Sequence, residues 1–300
     1  MTELIGQTLG SYVIEELIEA SRSGQLFRAR QVRLDRPAGL KVLDARLTAA
    51  PGFATLFRAA MRGAAALQHP HIVQIEDFGE QGGRFYVAME LLGGGSLGGL
   101  LARHAQTRAP WPLATGLDVI RQAADGLAYA HGQGAVHGGI APESLLLQQR
   151  DAAAYTLTIG DWGLASLDGD EPIVAPAYLS PEQCRGLAPD ARSDIYALGV
   201  VLYQVCTGFV PFAVKTRAEA AEKHLRAQPT PPRIVRPELP AELEAIILRC
   251  LAKQPEQRFA TAGALAAALG QVLRAISPAQ TILLGGAATR PIATPPAAPQ

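Results

Sequence analysis

Residues Val136 to Ser144 read Val-His-Gly-Gly-Ile-Ala-Pro-Glu-Ser, and two of their side chains, His137 and Glu143, carry titratable groups. Proton transfer to or from a reacting oxygen is the chemistry such groups perform. Further along, Asp161-Trp162-Gly163 offers a carboxylate, and well before the loop Lys41 stands inside the apolar run Leu40-Lys41-Val42-Leu43. An ammonium in such surroundings is costly unless it finds an anion. From Pro51 to Leu67, where Phe53, Leu56, Phe57, Met61 and Ala64 recur at helical spacing, there is no acidic residue at all, so that helix cannot supply one. Asp161 is the expected partner of Lys41, within about 6 Å. The alternative is that Lys41 snorkels to solvent from an ordinary strand.

Several further stretches occur in a fixed order. Leu40 to Leu43 is followed by His69-Pro70-His71-Ile72-Val73, Met89-Glu90-Leu91-Leu92, the loop from Val136 to Ser144, and Asp161-Trp162-Gly163. Then come Pro176-Ala177-Tyr178-Leu179-Ser180-Pro181-Glu182-Gln183, Ser193-Asp194-Ile195-Tyr196-Ala197-Leu198-Gly199 and Pro255-Glu256-Gln257-Arg258-Phe259. Over roughly residues 10 to 270 this order resembles bacterial serine/threonine protein kinases. The resemblance implies a bilobal α+β fold, with a small β-rich N-lobe carrying one main helix over residues 1–92 and a larger, mostly helical C-lobe over 93–276. It makes Lys41 the phosphate-pairing lysine, Met89, Glu90 and Leu92 the hinge beside adenine, and Asp161 a metal ligand. Trp162 becomes an apolar plug stacked toward His137, which braces the loop, and Arg258 the partner of Glu182.

The same resemblance exposes departures. Where the family has an aspartate base, a phosphate-neutralising lysine and a metal-binding asparagine, this chain has Gly139, Ala141 and Ser144. Ala60 stands at the position of the helix glutamate, Gly138 at that of the loop arginine, and Ala175 at that of the activation-segment threonine. No realignment restores the asparagine, because the chain contains none, and its lysines are only Lys41, Lys215, Lys223 and Lys253. The phosphate-covering glycines are reduced to Gly24, with Glu19 and Ser21 at the other two positions. Glu143 could be read as a replacement base, but the resemblance implies that it faces substrate or solvent and is not oriented to the attacking hydroxyl. The expectation is therefore a pseudokinase, not an enzyme, acting as a binding, scaffolding or nucleotide-sensing module. Lys41, Asp161, Met89, Glu90, Leu92 and Gly24 are its nucleotide-binding candidates; ATP and Mg²⁺ are not required. The alternative is a weak or unconventional ATP-dependent kinase or phosphotransferase.

Composition bounds the rest. With 300 residues, 48% of them hydrophobic, the chain can bury a sizeable core. Zero net charge leaves no electrostatic footprint for nucleic acid or an anionic membrane. Cys184, Cys206 and Cys250 are too scattered for a zinc or disulfide frame, which suggests reduced thiols and a cytoplasmic setting. The first residues show no basic segment followed by an apolar run, and the apolar stretch from Ala197 to Phe212 is too short for a membrane span. Protein partners, an active kinase or a signalling protein, are implied. Helical periodicity is expected at Leu97–His104, Ala114–Gly134, Arg192–Cys206, Arg217–Ala227, Pro240–Leu251 and Ala260–Ile276. Residues 277–300, rich in Pro, Ala and Thr, read as a flexible tail whose Thr281, Thr289 and Thr294 are candidate phosphorylation sites.

Overall fold

Turn residues at Ser21–Gly24 and before Arg36 break the first forty residues into strands that pair as hairpins. In the computed structural model, which describes residues 4–49, 51–107, 111–151, 154–167 and 174–276, these are β1 (Thr8–Leu9), β2 (Tyr12–Ser21), β3 (Gly24–Gln31) and β4 (Arg36–Leu43). After α1 (Ala45–Thr48) and α2 (Phe53–Ala65), β5 (Ile75–Gln81) and β6 (Arg84–Met89) complete an antiparallel sheet in the order β1-β2-β3-β4-β6-β5. Lys41 sits in β4 opposite Leu26 of β3 and Val87 of β6. The register thus holds the lysine at the middle of the sheet. Helix α2 covers one face because Phe53, Phe57, Met61 and Ala64 repeat at helical spacing and are all buried. Phe53 and Phe57 pack edge-on against Phe85 of β6, with ring centroids 4.9 and 5.1 Å apart. Ile72, ahead of β5, forms only an isolated parallel bridge to Ile159.

The second lobe is built on α3 (Leu97–Thr107), α4 (Leu113–Gly132), α5 (Pro181–Cys184), α6 (Ala191–Thr207), α7 (Arg217–Arg226), α8 (Pro232–Val235), α9 (Ala241–Cys250) and α10 (Ala262–Ala275). Helix α6 is apolar nearly all round, and Ile195, Tyr196, Leu198, Val200, Val201 and Leu202 are fully buried; such a helix belongs at a core centre. Its start is fixed by Asp190, which accepts from the amides of Arg192 and Ser193, and its end by Gly208 at φ +83°. Helical periodicity in the sequence left the short helices α1, α5 and α8 and one hairpin undetected. Leu145–Gln149 and Tyr155–Ile159 pair antiparallel as β7 and β8. This hairpin begins straight after Ser144 and ends straight before Gly160. Its register, Leu145 opposite Ile159, brings the loop's end beside the start of Asp161-Trp162-Gly163, closed by the Gly160 amide donating to the Ser144 carbonyl at 2.7 Å. The expected tail, 277–300, lies outside the described residues.

Candidate active site

The loop from Val136 to Ser144 is held from below. Asp194, in the first turn of α6, accepts from the His137 amide at 2.9 Å and the Gly138 amide at 2.7 Å, and contacts His131 Nε2 at 2.8 Å. His137 is 2% exposed, its Nε2 lies 2.8 Å from the Gly160 carbonyl, and its Nδ1 accepts from the Gly139 amide at 3.1 Å. With Nδ1 accepting, Nε2 carries the proton and donates. Its ring meets Trp162 edge-on at 4.8 Å, as expected from the sequence, so this histidine is a brace. Gly138, at φ +69°, has Pro189 so close that an added Cβ would come within 2.9 Å of it.

Above the loop, the expected contact between Lys41 and Asp161 is present. Lys41 Nζ donates to Oδ1 and Oδ2 of Asp161 at 2.7 and 2.6 Å. Both side chains are largely buried, 8% and 16% exposed, which removes the alternative of a lysine snorkelling to solvent. Asp161 takes φ +58°, a left-handed conformation that aspartate tolerates better than most residues. Ser23, buried at the β2–β3 turn, also donates to Asp161 Oδ2 at 3.1 Å. Ala60 of α2 packs against the loop after Asp161, and a Cβ on Gly163 would lie 3.1 Å from that of Ala60.

Two cavities share this ground. The larger, about 410 Å³, lies between the β2–β3 turn and the loop; its walls include Ser21, Ser23, His137, Gly139, Ala141, Glu143, Ser144 and Asp161. The smaller, about 20 Å³, is bounded by residues that include Glu19, Leu26, Lys41, Met89, Glu143, Leu146 and Asp161. The fold therefore gathers Lys41, Asp161, Met89, Gly139, Ala141 and Ser144 around one cleft. Three other candidates stand apart from its walls. Glu90 is exposed, Leu92 is half-buried against the apolar core, and Gly24 is pressed to β4, where a Cβ would meet the Val42 carbonyl at 2.1 Å. Ser23 escaped sequence reading, as did Ser96, whose hydroxyl donates to Glu19 Oε1 at 2.7 Å across the lobes. No sequence signal could have linked Glu19 to a residue so remote in the chain.

Glu143 is exposed on the cleft. Desolvation by the neighbouring protein, helped by the Glu19 and Asp161 carboxylates, pushes its carboxyl above the usual range, while a hydrogen bond from its own backbone amide and the charge of Lys41 pull the other way. As for metal, Asp161 suits one hard cation completed by phosphate oxygens and water. Ser144 does not supply a second site: its hydroxyl accepts from the Ala141 amide at 3.2 Å and donates to the Ala141 carbonyl at 2.9 Å. Among the described residues, no group of three or more His, Cys, Asp or Glu side chains is arranged to hold a metal.

The protein kinase domain model matches residues 12–269. The chain is 35% identical over 287 residues to the serine/threonine-protein kinase pkn3 of Myxococcus xanthus, covering 90% of this chain and 51% of that protein. It is also 35% identical over 274 residues to the serine/threonine-protein kinase PknB of Mycobacterium tuberculosis, covering 87% and 42%. The chain thus spans about half the length of the curated relatives it matches. Among solved structures, the PknI kinase domain of Mycobacterium tuberculosis superposes with a TM-score of 0.72 at 27% identity, covering 89% of this chain and 98% of that one. No helix among the described residues is long and apolar enough to cross a membrane.

These relatives correct one expectation. The sequence reading as an inactive, non-enzymatic module is overturned by relatives named serine/threonine-protein kinases across nine-tenths of the chain. The physical reason lies in what a missing side chain can show. Gly139, Ala141, Ser144 and Ala60 say what those four positions cannot do, whereas the chemistry of a cleft is set by every group that lines it. By sequence and by fold, this chain belongs to the protein kinase family.

Proposed function

We propose that this domain is an unconventional ATP-dependent phosphotransferase acting on serine or threonine hydroxyls, the class to which the names of its relatives point. The observation that carries this reading is the Lys41–Asp161 pair, at 2.6 Å, in the wall of the interlobe cleft. Phosphoryl transfer depends on positioning and on neutralising charge rather than on covalent participation of the protein. Lys41 would neutralise nucleotide phosphate, and Met89 of β6 would border the base. Asp161 would hold Mg²⁺, which when bound neutralises charge on the phosphates. Nucleotide has to separate the pair to reach either partner, so binding competes with an ion pair already made. Turnover below the roughly 1–100 s⁻¹ of ordinary kinases is the consequence.

The test is phosphate transfer from labelled ATP with Mg²⁺ to a serine- and threonine-containing acceptor, alongside thermal melting with and without nucleotide. Ligand at 100 times its dissociation constant stabilises by about 2.7 kcal/mol. The expected result is a rise in Tm and measurable transfer, both lost in Lys41→Ala and in Asp161→Ala. A flat melting response together with no transfer would overturn the proposal.

A further inference from the structure

Among the described residues, the larger cavity is lined by five titratable side chains: Arg22, Arg46, His137, Glu143 and Asp161. Arginine stays protonated throughout the working range and cannot take a proton. His137 has both ring nitrogens engaged, Nε2 with the Gly160 carbonyl and Nδ1 with the Gly139 amide. Asp161 is held by Lys41 through both oxygens and by Ser23 through one. Gly139 offers no side chain. Glu143 accepts from its own backbone amide but alone keeps carboxylate lone pairs that no other side chain engages, and it borders both cavities, so it lies beside Gly139 and beside Lys41.

Its position is built. Glu143 is the middle residue of a 3-10 turn, Pro142–Ser144, that is pinned by the Gly160 amide to the Ser144 carbonyl at 2.7 Å. Its carboxylate lies against the first turn of α3, where a Cβ on Gly98 would come within 3.1 Å of Glu143 Oε1. The glycine leaves room for the acid. A base is most effective when its pKa approaches the working pH, and the direction in which this cleft moves Glu143 is upward.

Resting on the phosphotransferase reading above, and contrary to the expectation from the family resemblance, we propose that Glu143 is the catalytic residue that accepts the proton of the attacking hydroxyl. In that step the hydroxyl oxygen bonds to the γ-phosphorus and its proton passes to the Glu143 carboxylate. The bond from phosphorus to the bridging oxygen breaks, ADP leaves with the electron pair, and Glu143 later returns the proton to solvent.

The test is steady-state transfer from labelled ATP and Mg²⁺ by the intact chain, comparing wild type with Glu143→Gln. The expected result is a fall of about 10²- to 10⁴-fold in kcat, with an unchanged KM for ATP, an unchanged melting shift on nucleotide binding, and loss of the acidic limb of the pH–rate profile. In Glu143→Ala, added formate should restore at least part of the lost turnover, since a small carboxylate can occupy the vacated space. Wild-type kcat in both variants, with transfer still abolished in Asp161→Ala, would overturn the role of Glu143 and leave the phosphotransferase reading standing. A wild-type chain that binds nucleotide but transfers no phosphate would overturn both.

Discussion

At the residue scale, the best-satisfied charged group in this molecule lies away from the cleft. Arg258, fully buried, donates to both oxygens of Glu182 at 2.7 and 2.9 Å and also reaches the backbone carbonyls of Ala252, Arg192 and Lys253. Ser193 donates to Glu182 as well, at 2.6 Å. Burial alone would raise the Glu182 carboxyl, but the hydrogen bonds from Arg258 and Ser193 prevail and hold it below its ordinary value of 4.5. Removing one partner of a buried pair strands the other charge, so Glu182→Gln should cost about 3–5 kcal/mol. That corresponds to a drop in Tm on the order of 10 °C. The linkage sign is that of a depressed acid: the stabilisation is complete above pH 4.5 and is lost as pH falls below it. Urea titrations at pH 7 and at acid pH check both, and equal differences between wild type and variant at the two pH values would refute the linkage. This pair was legible in the sequence because each partner sits inside a matched motif. Ser23 was not, since a serine in a turn is ordinary turn chemistry until the fold sets it against Asp161.

At the element scale, the hairpin of β7 and β8 and the first turn of α6 together place the loop from Val136 to Ser144. Asp194 answers two buried backbone donors, the amides of His137 and Gly138. In Asp194→Ala each stranded amide should cost about 1–3 kcal/mol, and those two amides should lose protection in hydrogen exchange while the amides of α4 keep theirs. Unchanged exchange at residues 137 and 138 would show that α6 does not hold the loop. The longer helices were legible to within a few residues because their apolar spacing repeats over several turns, whereas α1, α5 and α8, of four residues each, were not. The β7–β8 hairpin was missed because its strands have only five residues each, too few for a period of two to stand out beside helical neighbours.

At the scale of the whole molecule, the side-chain contacts that join the lobes across the cleft include Glu19 with Ser96, Ser23 with Asp161, and Lys41 with Asp161. The first also fixes a negative charge where nucleotide phosphates would approach. Deleting it in Glu19→Ala should tighten ATP binding about tenfold, as expected for removing a like charge roughly 10 Å away at an effective dielectric of about 20. Calorimetric titration would measure this, and an unchanged or weaker affinity would contradict it.

What the sequence determined by itself is the order of elements, the family likeness and the identity of the groups the cleft lacks, because side-chain types and helical spacing are local properties of the chain. It also limited the partner of Lys41, since no acid exists from Pro51 to Leu67. Only the tertiary structure decided which further groups are already spoken for: that Ser23 joins Lys41 on Asp161, that His137 has both nitrogens bonded, and that Glu143 borders two cavities. Those facts depend on distances between residues far apart in the chain, and hydrogen bonds and ion pairs act only over a few ångströms.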